Sequence, residues 1–259
     1  MKIGVIGVGI ITTNVIESFL DFGESKDIFY LSPRNKQRCE MLLQKYPQNI
    51  IVCQENQQVL DNADYIILGL LTDTANEILP QLKFKKEHKV INFIATIGLP
   101  KLKEMIGETK LLCDVVPLPC ISKRMGPILL YPVIQEMIDF FSPMGKVIAL
   151  NSEYEMDALR CTTALMSPFY ELVYSVVDWN IKNGLTEKDS KAFTTAFFDA
   201  LCKMAADTKE NGLKELAEEM TPGGLNYQTT QHLLQKNAFN EWQVALDAVK
   251  NRVDSENKK

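Results

Sequence analysis

The chain has 259 residues, 46% of them hydrophobic and 24% charged, with a formal net charge of -5. That usage excludes a disordered, collagen-like or low-complexity chain and fits one large domain or two small ones. The first 150 residues are neutral overall and the acidic excess follows them. Neither part offers the basic face that a phosphate backbone requires, so no nucleic-acid partner is expected.

No apolar run approaches the roughly 20 residues of a membrane span. The start, Met1-Lys2 followed by a glycine-rich run and then Asn14 and Glu17, does not read as a secretory signal. A cytoplasmic protein with no membrane partner is the expectation. The cysteines at 39, 53, 113, 120, 161 and 202 are scattered, and His88 and His232 are the only histidines. Reduced, mostly buried thiols are expected, with neither a disulfide framework nor a metal site.

Up to residue 150, short apolar runs alternate with helical spacing. Runs at 2–6, 27–31, 50–53, 65–71, 90–94 and 111–116 read as strands. Stretches 10–22, 36–46, 74–82 and 101–106 read as helices. A last pair of runs, 128–131 and 147–150, brackets a helix over 133–141. Short buried runs separated by helices indicate a parallel sheet covered on both faces. After residue 150 the pattern is helical throughout. Ser152-Glu153-Tyr154-Glu155 fits a capping box. The stretch 157–181 carries only four charges, so it should be buried on several sides, and Pro168 should kink it. Gly184 reads as its stop, and helices over 187–207, 213–220, 225–235 and 240–253 follow. The fold class is therefore α/β: a Rossmann-type parallel-sheet domain over 1–150, then an all-α domain over 151–259 for dimerisation and substrate.

Gly7-Val8-Gly9-Ile10-Ile11-Thr12 gives G-x-G-x-x-T between an expected strand and an expected helix. Gly7 permits a tight turn, and Gly9 lets the backbone approach a pyrophosphate seated at the helix start with Ile10 and Ile11. An NAD site has an acid about 20 residues further on. Here that place reads Ser32-Pro33-Arg34-Asn35-Lys36. A hydroxyl, a guanidinium, an amide and an amine suit the 2′-phosphate of NADP instead. Sheet ligands gather at the carboxyl ends of strands. Leu70, Leu71 and Thr72 after the fourth strand, and Ala95 and Thr96 after the fifth, join the cofactor candidates. Thr72 is also a candidate helix cap.

Thr221-Pro222-Gly223-Gly224-Leu225-Asn226 lies between two expected helices and reads first as a turn. With the glycine loop at the start and Val116-Pro117-Leu118-Pro119 after the sixth strand, this order resembles pyrroline-5-carboxylate reductase over nearly the whole chain. In that family the segments read K-I-G-F-I-G-x-G, M-P-N-T-P and S-P-G-G-T-T, and Gly184-Leu185 resembles its G-L near the end of the long helix. The resemblance implies NADPH as cofactor and reduction of a cyclic imine, pyrroline-5-carboxylate to proline. It implies a substrate carboxylate held by Thr221, Gly223, Gly224 and Leu225. It also implies a catalytic donor at Asn226, where the family has threonine. The family's S-G-S-G-P-A-Y segment is altered here to Thr162-Thr163-Ala164-Leu165-Met166-Ser167-Pro168-Phe169-Tyr170. The departures lie on the substrate side.

Reducing C=N needs a hydride donor and a positioned substrate more than acid–base groups, so a site without histidine or paired carboxylates is acceptable. His232 reads as surface or packing. Lys182, the only lysine of the long helix, reads as solvated rather than as the base of a β-hydroxyacid dehydrogenase. A related NADP oxidoreductase acting on another imine, keto or hydroxy acid, and a non-catalytic dinucleotide-binding regulator, stand as alternatives. The apolar long helix further predicts a homodimer or higher homo-oligomer.

Overall fold

The computed structural model describes residues 1–22 and 26–257. The chain divides into two compact units. One comprises Met1–Cys161 with the C-terminal segment from Lys250, and the other Thr162–Val249.

The first unit is built on an eight-stranded sheet: β1 (Lys2–Ile6), β2 (Ile28–Leu31), β3 (Ile50–Val52), β4 (Tyr65–Leu68), β5 (Lys89–Asn92), β6 (Leu111–Val116), β7 (Pro127–Tyr131) and β8 (Lys146–Ala149). Their spatial order is β3-β2-β1-β4-β5-β6-β7-β8. Strands β1 to β6 are parallel, with Val5 opposite Leu31 on one side and Ile67 on the other. The sheet is not parallel throughout: β7 runs antiparallel to β6, with Val115 opposite Leu130, and β8 is parallel to β7. The stretch between Val116 and Pro127 is too short for the helical crossover that a parallel partner needs.

Alternate side chains of β1 point to opposite faces, as a strand requires. Ile3 and Val5 join Val15, Ile16, Phe29 and Phe141 on one face. Ile6 joins Val59, Leu60, Ile66 and Leu102 on the other. Fully burying each such side chain stabilises the fold by roughly 1.5–3 kcal/mol. The faces are covered by α1 (Ile10–Leu20), α2 (Lys36–Lys45), α3 (Asn56–Asn62), α4 (Thr72–Ile78), α5 (Leu99–Ile106) and α6 (Gln135–Phe141). The unit also takes in α7 (Glu153–Thr162) through Cys161, past the boundary expected at 150. Ser152 caps α7 by accepting the Glu155 N–H at 3.2 Å, and the Glu155 carboxylate reaches back to the Asn151 N–H at 2.8 Å.

The expected long helix breaks into α7, a 3-10 turn over Thr163–Leu165 and α8 (Met166–Lys182). Pro168 has no N–H to give the Ala164 carbonyl and its ring collides with that group, so the break falls one turn ahead of it. Then come α9 (Glu187–Ala206), α10 (Gly212–Glu218), α11 (Leu225–Gln235) and α12 (Ala238–Asn257). Thr186 caps α9, accepting the Asp189 N–H at 3.1 Å. Helices α8 and α9 meet through small polar groups: Ser190 donates to the Val177 carbonyl at 3.1 Å, and Asn180 to the Thr194 hydroxyl at 3.5 Å. In residues 162–249 only Ser190 and Thr194 are buried, so α8, expected to be enclosed on several sides, has no buried residue within the chain. The cysteines are free thiols in the structure: Cys39, Cys53, Cys113 and Cys161 are buried, Cys120 is half-buried and Cys202 exposed. Among the described residues no helix is long and apolar enough to cross a membrane, and no cluster of ligating side chains could hold a metal ion.

Candidate active site

The glycine loop joins β1 to α1. Gly7 has φ +95°, and a Cβ there would lie 2.3 Å from the Gly69 carbonyl oxygen, so no other residue fits. Its N–H donates to the Ser32 hydroxyl at 2.9 Å, and Ser32 is buried. Ser32 thus holds the loop from beneath. Gly9 is the N-cap of α1, and a Cβ on it would meet nothing within 4 Å. The open side of the loop is where a ligand's pyrophosphate could approach the free N–H groups of the first turn.

Thr12 has a definite task. Its hydroxyl accepts the Gly9 N–H at 2.8 Å and donates to the Gly7 carbonyl at 3.0 Å. Its methyl sits 2.3 Å from where a Cβ on Gly69 would be. The small third residue of the usual fingerprint is here exchanged for a threonine, with a glycine facing it at the end of β4.

Two adjoining cavities open at this edge of the sheet. One, of about 410 Å³, has Gly7, Gly9, Arg34, Asn35, Lys36 and Thr74 among its walls. The other, of about 360 Å³, is walled by Ile10, Ile11, Thr72, Phe93 and Ala95, among others. They share Gly9, Gly69, Leu70 and Leu71. Both volumes fall in the range of small-molecule sites. The structure therefore brings together the expected glycine, Arg34 and strand-end residues. Arg34 is exposed, and its guanidinium donates to the Thr74 hydroxyl at 3.1 Å. Asn35 caps α2 and donates to the Val8 carbonyl at 3.0 Å, tying the second-strand loop to the glycine loop. Thr72 is the first residue of α4, whose N-cap is Leu71, so it does not cap. Its hydroxyl pairs with that of Thr96. Thr74 and Phe93 escaped the sequence reading, having no motif of their own.

Arg34 and Lys36 line the first cavity and no carboxylate does. That charge suits a 2′-phosphate and opposes the acid-dependent recognition of an unphosphorylated ribose.

In the second unit, Pro222 and Gly223, with φ +76°, form a tight turn closed by the Gly224 N–H on the Thr221 carbonyl at 2.9 Å. Gly223 is needed for its backbone angle: a Cβ there would meet nothing within 4 Å. At Gly224 a Cβ would come 3.0 Å from the Thr221 carbonyl oxygen. Gly224 is the N-cap of α11, and Thr221, Leu225 and Asn226 are exposed around it. His232 is exposed on the same helix, and Lys182 pairs with Asp178 at 2.5 Å.

Residues 2–96 match the family model described as NADP oxidoreductase, coenzyme F420-dependent. The match spans the glycine loop, the Arg34 loop and the ends of β4 and β5. Among solved structures, a 1-pyrroline-5-carboxylate reductase from Streptococcus pyogenes superposes with a TM-score of 0.85 at 20% identity, covering 98% of each chain. The Plasmodium falciparum pyrroline carboxylate reductase, solved with NADP bound, gives 0.84 at 18% identity over 99% of this chain and 98% of its own. The chain has the pyrroline-5-carboxylate reductase fold. An imine reductase from Pseudomonas sp. is a more distant likeness, with a TM-score of 0.59 at 13% identity over 97% of this chain and 90% of its own. Comparison with curated protein sequences found no match.

Proposed function

We propose that this protein is an NADPH-dependent reductase of a cyclic imine, with pyrroline-5-carboxylate, reduced to proline, as its substrate. The observation that carries the reading is the double cavity, where the open glycine loop, two cations and the ends of β4 and β5 face one another without a carboxylate at the cationic end. The first turn of α1 binds the pyrophosphate through Ile10 and Ile11 N–H groups. Arg34, seconded by Lys36 and Asn35, holds the 2′-phosphate. Leu70, Leu71, Thr72, Ala95 and Thr96 hold the other half of the dinucleotide. NADPH, when bound, supplies the hydride.

On the substrate side, the α11 N-terminus presents N–H groups of Leu225 and Asn226 to a carboxylate. Gly223 and Gly224 shape that turn, Thr221 flanks it, and the Asn226 amide donates toward the reacting nitrogen. The exposed Leu225-Asn226 pair, where the resembling family has two threonines, favours as second reading an NADP oxidoreductase with another imine, keto or hydroxy-acid substrate. Copies of the chain associate as a dimer or higher oligomer through the helical unit, whose Phe169, Tyr170, Tyr174 and Trp179 are all exposed.

The test is NADPH oxidation followed with pyrroline-5-carboxylate and with open-chain keto acids. Turnover of the cyclic imine alone supports the first reading, and turnover of a keto acid alone the second. NADPH binding with no turnover of either makes the protein a dinucleotide-binding regulator. Arg34→Ala should weaken NADPH by about tenfold or more while barely changing NADH, as loss of a charged hydrogen bond predicts. Equal losses for both nucleotides would remove Arg34 from the 2′-phosphate.

A further inference from the structure

Strand β6 carries a carboxylate, Asp114, inside an otherwise apolar run, and burial there demands partners. It has two. The Arg160 guanidinium of α7 meets Asp114 Oδ2 at 3.0 Å, and the Asn92 amide of β5 meets Oδ1 at 2.5 Å. Burial pushes the Asp114 carboxyl up to about 6, against the downward pull of Arg160 and Asn92. Nothing in the hydride chemistry above uses these residues.

Three further hydrogen bonds of Asn92 and Arg160 go to one place, the backbone just after β5, while Arg160 also pairs with Asp157 at 3.5 Å. Arg160 Nη1 donates to the Ala95 carbonyl at 2.5 Å. Asn92 donates to the Ile97 carbonyl and accepts the Ile94 N–H, both at 3.0 Å. A segment leaving a strand end has no ladder to satisfy its polar groups, and water is the usual partner. Here side chains from two elements, Asn92 of β5 and Arg160 of α7, hold it at both ends and in the middle, and Asp114 of β6 braces both. On its other side, Phe93 and Ala95 wall the second cavity, and Thr96 pairs with the cavity residue Thr72.

Stability does not explain an ion pair at this spot, because a well-packed apolar pair would serve as well or better. Aim does. In a doubly wound sheet the two halves of a dinucleotide lie on the two sides of the switch point, here between β1 and β4. Arg34 marks the β2 side as the phosphorylated adenosine end, so the β4–β5 side takes the nicotinamide.

We propose that Asn92, Asp114 and Arg160 are positioning residues that fix residues 93–97 from behind, and through them the nicotinamide half of the cofactor. This rests on the NADPH reading above. It does not depend on which substrate is reduced.

The experiment compares two ligands by titration. NADPH carries both halves, whereas adenosine 2′,5′-bisphosphate carries only the phosphorylated adenosine end. Replacing the pair with apolar residues, Asp114→Leu with Arg160→Met, leaves no fully buried charge, since Asp157, the other partner of Arg160, is partly exposed, and should keep or raise the melting temperature. NADPH affinity should fall about tenfold, the range seen when supporting contacts behind a bound group are removed. Affinity for the bisphosphate should not change. Should that variant fail to fold, Arg160→Lys decides by the same titrations, because an ammonium lacks the fork that spans Asp114 and Ala95. Unchanged NADPH affinity, or an equal fall for both ligands, overturns the proposal. A parent chain that binds neither ligand overturns the NADPH reading, and this inference with it.

Discussion

Phe29 and Phe141 in the sheet unit are sealed from solvent, whereas Phe193 and Phe197 in the helical unit stack on each other while 65% and 47% exposed. The contrast runs through the whole chain. Between Ile3 and Cys161 the apolar side chains close over a core on each face of the sheet. From 162 to 249 no apolar side chain is buried at all. The two regions have similar helical patterning but different completeness. The sheet unit contains both partners of its own packing. The helical unit, over residues 162–249, leaves its apolar side chains without a cover in the chain. Composition alone cannot tell these apart, because an apolar stripe looks the same whether its cover is in the chain or in a neighbour.

The largest effect should come from charging the helical unit. Phe193→Asp with Phe197→Asp places two carboxylates on its stacked pair. Buried at an interface, they would cost more than any single contact returns. Light scattering should show the parent as at least a dimer at micromolar concentration and the variant as a monomer. A monomeric parent would break the comparison, for the helical unit would then live with its aromatic face in water.

Next in size is Asn226→Ala. Loss of one positioned donor typically costs about 10²–10³ in kcat. NADPH affinity, assigned in the proposal to the glycine-loop cavities, should barely move. Asn226→Thr should keep or raise turnover of pyrroline-5-carboxylate. A fully active Asn226→Ala would reduce the turn to a helix cap.

The sequence made much of this legible, for physical reasons that differ by element. Runs such as 111–116 and the capped stretch 225–235 stand out because burial and helix termini each leave a local signature. Helix α3 left none: of Asn56–Asn62 only Val59 and Leu60 are buried, too few to show a period. The reversed β7 is invisible in its composition but was deducible from the short link after Val116. Ser32 was read as a cofactor group because a hydroxyl in that loop fits a phosphate, yet the structure turns it under Gly7. The Asn92–Asp114–Arg160 network was missed although its signal was plain, a carboxylate in a strand buried on both faces. Its partner could not be found by reading, since Arg160 lies 46 residues away along the chain.

A smaller effect sharpens the view of the sheet unit as self-contained. Gly69→Ala drives a Cβ into the Thr12 methyl and toward the Gly7 carbonyl, at 2.3 and 2.8 Å. Overpacking of this kind costs roughly 1–3 kcal/mol. Denaturant melts should show that loss, and NADPH should bind more weakly because the glycine loop shifts. Adding Thr12→Ser removes the methyl and keeps the hydroxyl. The double variant should recover part of the loss, leaving the share due to the Gly7 carbonyl. Strict additivity of the two changes would mean that Thr12 and Gly69 do not share the space.

The smallest effect is a slope with pH. His88 is buried, its Nδ1 accepting the Lys85 N–H at 3.0 Å and its Nε2 facing the Leu60 carbonyl at the same distance. Burial holds its folded pKa below the ordinary 6.5. The unfolded chain therefore takes up the proton first as pH falls, so the contribution of His88 is present above about 6.5 and is lost below it. Asp114 has the opposite sign. Its carboxyl is raised to about 6 from 3.8, so the folded chain holds the extra proton and the contribution of Asp114 declines as pH rises from about 4 to 6. Below about 6 the two slopes oppose each other. There each group offsets part of the other's effect on the parent's melting temperature. His88→Gln removes one of them. Relative to the parent, the variant should gain stability as pH is lowered from 7 to 5, by a few degrees at most. If parent and variant melt in parallel across that range, His88 does not titrate on unfolding and the lowered pKa assigned to its burial is wrong.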